Sequence, residues 1–232
     1  MFDRIRKAFS RDARTAEHAA PSVLPSQLMQ GPVSEWAATQ GFALSLHGGG
    51  RLVVEGKVAG RPWRMELGKP SREYIRSEEL RARAELGVDE DVAVMIINRP
   101  LKEALEKKAY SMITDSLRTT ADPHLPEEMR WLAMYDEVGW ETLPAPFWKR
   151  YAVLTDQREH AVAWVDLPLA QMLLDWPQPA PDSEVPFLLL LLRGKTYLRM
   201  EYVPAEITTL QHAAQVFTGA CESAVGAFKR PA

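Results

Sequence analysis

Five histidines, one cysteine and several runs of acids are the groups through which this chain could do chemistry. His18, His47, His124, His160 and His212 form no His-x-x-x-His or similar ligand pair, so a zinc site would have to be gathered by the fold. His124 has the densest surroundings, with Asp122, Glu127 and Glu128 nearby, and it reads as a loop histidine beside acids that open a helix. Cys221 falls on an apolar stripe with Leu210, Ala213, Phe217, Ala224 and Phe228, the setting of a small buried hydrophobe. A catalytic thiolate needs a neighbouring base and some exposure. The nearest histidine, His212, stands about two and a half turns away along the same helix and is not that base. The sequence therefore assigns no catalytic residue, no metal site and no cofactor.

Other motifs point the same way. Gly48-Gly49-Gly50 lacks the Lys-Ser/Thr and the helix start of a phosphate loop; Arg51 and strand-forming residues follow, so it reads as a hairpin tip. There is no Gly-x-Ser-x-Gly elbow, Cys-x-x-Cys pair or dinucleotide fingerprint. Glu78-Glu79, Asp89-Glu90-Asp91 and Glu127-Glu128 fall in expected loops or at solvated edges, where nothing local perturbs their protonation. Arg72, Arg76, Arg81 and Arg83 are interleaved with as many acids, which argues against a stripe for a phosphate backbone.

Two groups of residues read as interaction surfaces instead. Trp131, Tyr135, Trp140, Phe147, Trp148 and Tyr151 concentrate large rigid side chains in one region, the kind favoured at protein interfaces or ligand grooves although more often found in cores. Residues 1–19 read as a basic amphipathic helix. Phe2, Ile5 and Phe9 share a face, and Arg4, Arg6, Lys7, Arg11 and Arg14 surround it. Such a helix fits a partner protein or an anionic membrane surface.

The elements that must carry these residues are an α+β set. Phe42, Leu44 and Leu46, then Leu52 to Val58, flank the glycines as a hairpin. Trp63, Met65 and Leu67 alternate with Arg64 and Glu66, as in a half-buried antiparallel strand. Leu80, Ala82, Ala84 and Leu86 alternate with charges and predict a strand, although their residue types favour helix. Val92 to Ile97 is apolar on both faces, a central strand. Pro100 opens a helix to at least Tyr110. Tyr151 to Leu154 and Ala161 to Val165 predict short strands, and Pro168 opens a helix through Trp176. Phe187 to Leu192, the Arg193-Gly194 turn and Thr196 to Tyr202 form a hairpin leading into a long helix from Pro204 to Phe228, with the Phe187 strand as its expected partner.

The expected architecture is thus largely antiparallel curved sheet with the long C-terminal helix packed on it. Three segments follow: 1–32, a basic helix and proline-containing linker; 33–118, a first α+β half; and 119–232, a second half packed with the first as one globular unit. Both halves run through strands into helices, which fits an internal duplication, but no residue-level repeat establishes one.

Composition bounds the function. At 232 residues and 26.1 kDa, with 46% hydrophobic and 25% charged residues, the chain can bury a large core. A net charge of -3 gives no field to draw in nucleic acid. A single cysteine forbids an internal disulfide and fits a reducing compartment. The longest apolar run, about eight residues, falls short of the roughly 20 that span a bilayer, and no signal-peptide pattern opens the chain. The expectation is a cytoplasmic, non-catalytic module that binds another protein or itself. The alternatives are a binding protein or enzyme with an apolar cavity between sheet and C-terminal helix, and peripheral membrane association through residues 1–19.

Overall fold

The computed structural model describes residues 30–48, 50–116 and 127–229. Within them lie one open nine-stranded antiparallel sheet and seven helices. In chain order these are α1 (Gln30–Gln40), β1 (Ala43–His47), β2 (Arg51–Val58), β3 (Arg61–Gly68), β4 (Glu79–Glu85), β5 (Ala93–Asn98), α2 (Arg99–Ser116) and α3 (Glu127–Met134). Then come β6 (Asp136–Val138), α4 (Ala145–Arg150), β7 (Tyr151–Thr155), α5 (Arg158–Trp164), α6 (Leu167–Leu174), β8 (Phe187–Leu192), β9 (Lys195–Glu201) and α7 (Ile207–Ala227).

The strand order is β1-β2-β3-β4-β9-β8-β5-β7-β6. The β8–β9 hairpin thus slots between β4 and β5, and one sheet runs through both sequence halves. Two-residue turns set the hairpin registers. Ala59-Gly60 between β2 and β3 has φ of 48° and 76°, and Arg193-Gly194 between β8 and β9 has 49° and 70°. Positive φ at both central positions matches the right-handed twist of the flanking strands. At Gly194 a side chain would also crowd the Val88 carbonyl, at 3.0 Å.

Period-two alternation gives the sheet two unlike faces. On one, Trp63, Met65, Leu67, Leu80, Leu189 and Leu198 meet the helices. There α7 buries Leu210, Ala213, Phe217, Cys221 and Ala224, with Phe217 edge-on to Trp63 at 6.3 Å. Its small residues let it approach closely, and its strand contacts fall on β9 and β2 rather than on β8 alone. On the other face, α2 and α3 cover β5, β7 and β8 through Leu101, Leu105, Met129 and Trp131. β5 is consequently buried along its whole length. Asn98 at its end donates to the carbonyls of Ser183 and Val185 and accepts from the Phe187 backbone N–H, which ties the proline-rich loop to the sheet.

The alternation at residues 79–85 is a strand, as expected from its period. Ala161 to Val165 is not. It belongs to α5 and its C-cap, with the Val165 N–H bonded to the Ala161 carbonyl at 2.9 Å. Ala161, Trp164 and Val165 are buried while Val162 and Ala163 face out, a spacing of three and four that outweighs β-prone residue types. Pro144 is the N-cap of the short helix α4 and Pro146 lies in its first turn. Gln30 to Pro32, read as linker, belong to α1. The final helix starts at Ile207, three residues later than expected. The basic helix with Phe2, Arg4, Ile5, Arg6, Lys7, Phe9 and Arg11 lies outside the described residues, as do His18, His124 and the whole of residues 119–126 at the start of the second half. Among the described residues no helix is long and apolar enough to cross a membrane.

Candidate functional site: an arginine-lined trough

Where α2 and α3 stop, the same sheet face continues over β9, β4, β3 and β2, and no described helix covers it. Most of the outward residues of these strands are charged, Tyr197 of β9 and the buried Val53 of β2 being exceptions. Register places Glu66 beside Arg81 and Arg81 beside Arg199 across β3, β4 and β9. One step along, Arg64 faces Arg83 and Arg83 faces Tyr197. The wall of α3 and the apolar residues of β8 complete a trough of about 440 Å³. Arg64, Arg72, Arg81, Arg83, Arg193 and Arg199 line it, against the carboxylates of Glu66 and Glu128 only. Leu188, Leu190, Leu192, Met95 and Trp131 supply its apolar part.

Most of these charges are already engaged. Glu66 accepts from Arg64 Nε at 2.6 Å and from Arg81 Nη2 at 3.0 Å, and Glu55 reaches Arg64 Nη1 at 2.9 Å. Partial burial pushes the Glu66 carboxyl up, but the Arg64 hydrogen bond and the charges of Arg64, Arg81 and Arg51 outweigh it and hold the group below the ordinary range. At the deep end Glu128 Oε1 receives Arg72 Nε at 2.8 Å, Arg199 Nη1 at 3.0 Å and the Tyr74 hydroxyl at 3.1 Å. Burial raises the Glu128 carboxyl, and its own backbone N–H, Arg72 and Arg199 more than reverse that. Tyr74 is shifted upward, first by burial and then by Glu128 beside it. Arg199 Nε also lies 3.0 Å from Glu79 Oε1, whose side chain is wholly buried.

When Glu55 and Glu79 are counted with the two lining carboxylates, four of the six arginines are neutralised. The remaining two are Arg83 and Arg193. Both are exposed, and neither has an ion pair among the described residues. The trough therefore holds an internally paired floor with two guanidiniums outside any ion pair at its rim, Arg83 and, near Tyr135, Arg193, suited to carboxylates in a fork geometry.

The six aromatic residues singled out in the sequence lie on opposite sides of the sheet. Trp131 and Tyr135 pack as tilted rings, centroids 4.7 Å apart, on the trough side; Trp131 is buried in the trough wall and Tyr135 is half-buried. Trp140, Phe147, Trp148 and Tyr151 form a chain of ring contacts on the other side. There Phe147 and Tyr151 are buried, and the Tyr151 hydroxyl donates to the Leu173 carbonyl at 2.9 Å. The described histidines are dispersed: His47 is exposed beside Ser45, His160 packs on Phe228, and His212 contacts the Met172 carbonyl and Trp176. In the sequence Arg72, Arg81 and Arg83 read as interleaved with acids and Arg64 as the wet face of a strand; no window gathers all six, because they come from β3, β4, β9, a hairpin tip and a loop. Their one local signal is the alternation of Arg64 with Glu66 and of Arg81 with Arg83.

Cys221 is buried under the sheet, and desolvation pushes its thiol up to about 12. Iodoacetamide at pH 8 should leave the native protein unlabelled and modify it fully in denaturant. Mass spectrometry reads both, and rapid native labelling would contradict this placement.

Compared with protein-family models, curated proteins and solved structures, the chain matches none of them.

Proposed function

We propose that the protein is a non-catalytic binding module and that the trough receives an acidic segment of a partner protein. The observation that carries this reading is the pair of uncompensated guanidiniums, Arg83 and Arg193, on a concave surface whose other charges are paired off. Structural ion pairs close on themselves; free arginines over a preformed floor give a carboxylate-bearing partner both steering and fork-shaped hydrogen bonds. The adjoining apolar strip offers that partner a surface to desolvate. A phosphate backbone fits less well, because half of the lining carries no charge.

Capped peptides of equal apolar content, one rich in glutamate and one rich in lysine, test this by calorimetric titration. The acidic peptide should bind and the basic one should not, with affinity falling as salt rises. Joint replacement Arg83→Glu and Arg193→Glu should weaken the acidic peptide about tenfold or more. Equal binding of acidic and basic peptides, or indifference to the double reversal, sinks the reading.

A further inference from the structure

Resting on that reading, we infer that the trough selects a segment whose two carboxylates are held apart by an apolar residue, rather than one whose acids are adjacent. The argument is where the two guanidiniums outside any ion pair stand relative to the aliphatic strip. Arg83 on β4 lies directly across from Tyr197 of β9, which in turn faces Leu190 of β8. Leu192 follows two residues further along β8 on the same face, and Arg193 opens the turn beyond it, near Tyr135. Tyr197, Leu190 and Leu192 therefore lie between the two cations; each is only partly covered, and all three line the trough. The other cation of that stretch, Lys195, sits across from Leu192 and is already held by Glu85 at 3.2 Å.

Two strand spacings of about 4.8 Å and three residue rises of about 3.3 Å set the Cα atoms of Arg83 and Arg193 about 14 Å apart. A single carboxylate, or two on adjacent residues, satisfies one of these guanidiniums and leaves the other in water. Two carboxylates four residues apart on an extended chain cover a similar span, about 13 Å. Side chains of such a chain alternate in direction, so the first, third and fifth residues point the same way. The outer two then reach Arg83 and Arg193, and an apolar residue between them comes down on Tyr197 and the two leucines. An acid in that middle place would leave water with no unpaired cation beneath it. At the β4 end Arg64 stands directly across from Arg83, so the carboxylate there meets a second guanidinium, one shared with Glu55 and Glu66. The β5 residues under α2 and α3 take no part, because the path ends at the β8–β9 turn.

The test compares two capped pentapeptides of one composition by NMR titration of the isotope-labelled protein. The spaced peptide is Glu-Ser-Leu-Ser-Glu and the clustered one is Glu-Glu-Leu-Ser-Ser. The spaced peptide should bind about tenfold more tightly, the worth of one further charge-assisted hydrogen bond. Arg83→Gln and Arg193→Gln are made singly. Each should bring the spaced peptide down to about the affinity of the clustered one, whereas the clustered peptide should be weakened by at most one of the two. Both residues are exposed and outside any ion pair among the described residues, so both variants should keep the wild-type melting temperature. Equal affinity for the two peptides, or a spaced peptide indifferent to either replacement, overturns the spacing inference while leaving an acidic partner in place. No binding of either peptide overturns both readings. Binding of dodecanedioate at Arg83 and Arg193, without peptide binding, overturns both in favour of a small dicarboxylate.

Discussion

Arg199→Leu should lower the unfolding free energy by about 3–5 kcal/mol, the cost of breaking a buried pair by removing one partner. Arg199 itself keeps 19% side-chain exposure, but its partners do not share that contact with water: Glu79 is at 0% and Glu128 at 9%. Without the guanidinium, Glu79 stays beneath the sheet face with Glu201 directly opposite across the β4–β9 ladder. Glu79 then keeps the Ser71 backbone N–H, and Glu128 keeps Arg72 and Tyr74. The pH dependence supplies a second signature. In the wild type the Glu128 carboxyl is held low, so its stabilising share is present above the unfolded carboxyl value and is lost as pH falls through the native one. In the variant Glu128 loses one of the two cations that hold its carboxyl low, so less of that share is there to be lost in acid. The gap between wild type and variant should therefore narrow from pH 7 to about pH 4. Adding Glu79→Gln should recover part of the loss, since the two sites share one interaction. Urea unfolding at both pH values decides the matter; a gap below about 1 kcal/mol at neutral pH would mean that the network contributes no more than an exposed pair.

Local pattern and long-range pairing account for what was legible in the sequence and what was not. Trp63, Met65 and Leu67 against Arg64 and Glu66 reveal a strand with one wet face, and the structure has that strand. Val92 to Ile97 reveals a strand covered on both sides, and β5 is one. These signals are local because side-chain direction repeats every two residues. The α5 segment resembles a strand because Val162, Trp164 and Val165 are strand-prone by type, whereas the burial of Ala161, Trp164 and Val165 at three- and four-residue spacing settles its form. The trough depends on something no window contains. Arg81 meets Arg199, more than a hundred positions away in sequence, only because β9 pairs with β4 and the β8–β9 hairpin enters between β4 and β5. Arginines interleaved with acids read as a solvated stretch until register sorts them onto one face and pairs most of them.

This separation of faces also allows fold and binding to be dissected by a second core substitution. Trp164→Ala should cost about 3–5 kcal/mol, in the range for deleting a fully buried aromatic side chain. Trp164 has no exposed surface and joins α5 to α7: its indole N–H donates to the Ala220 carbonyl at 2.9 Å, and Ser223 Oγ donates back to the Trp164 carbonyl at 2.6 Å. Removing the ring leaves a cavity that the surrounding helices can fill only in part, and it removes the donor to Ala220. Trp164→Phe keeps most of the volume and should cost about 1–2 kcal/mol, chiefly for the lost hydrogen bond and imperfect packing. Because Trp164 belongs to the core on the α7 side, folded Trp164→Phe should bind the acidic peptides with wild-type affinity, while Arg83→Glu with Arg193→Glu should lose binding at unchanged stability. Thermal unfolding and peptide titration on the same samples would separate the two. If Trp164→Phe lost peptide binding while remaining folded, the trough would have to be coupled to the helix side through the sheet rather than standing as a rigid surface.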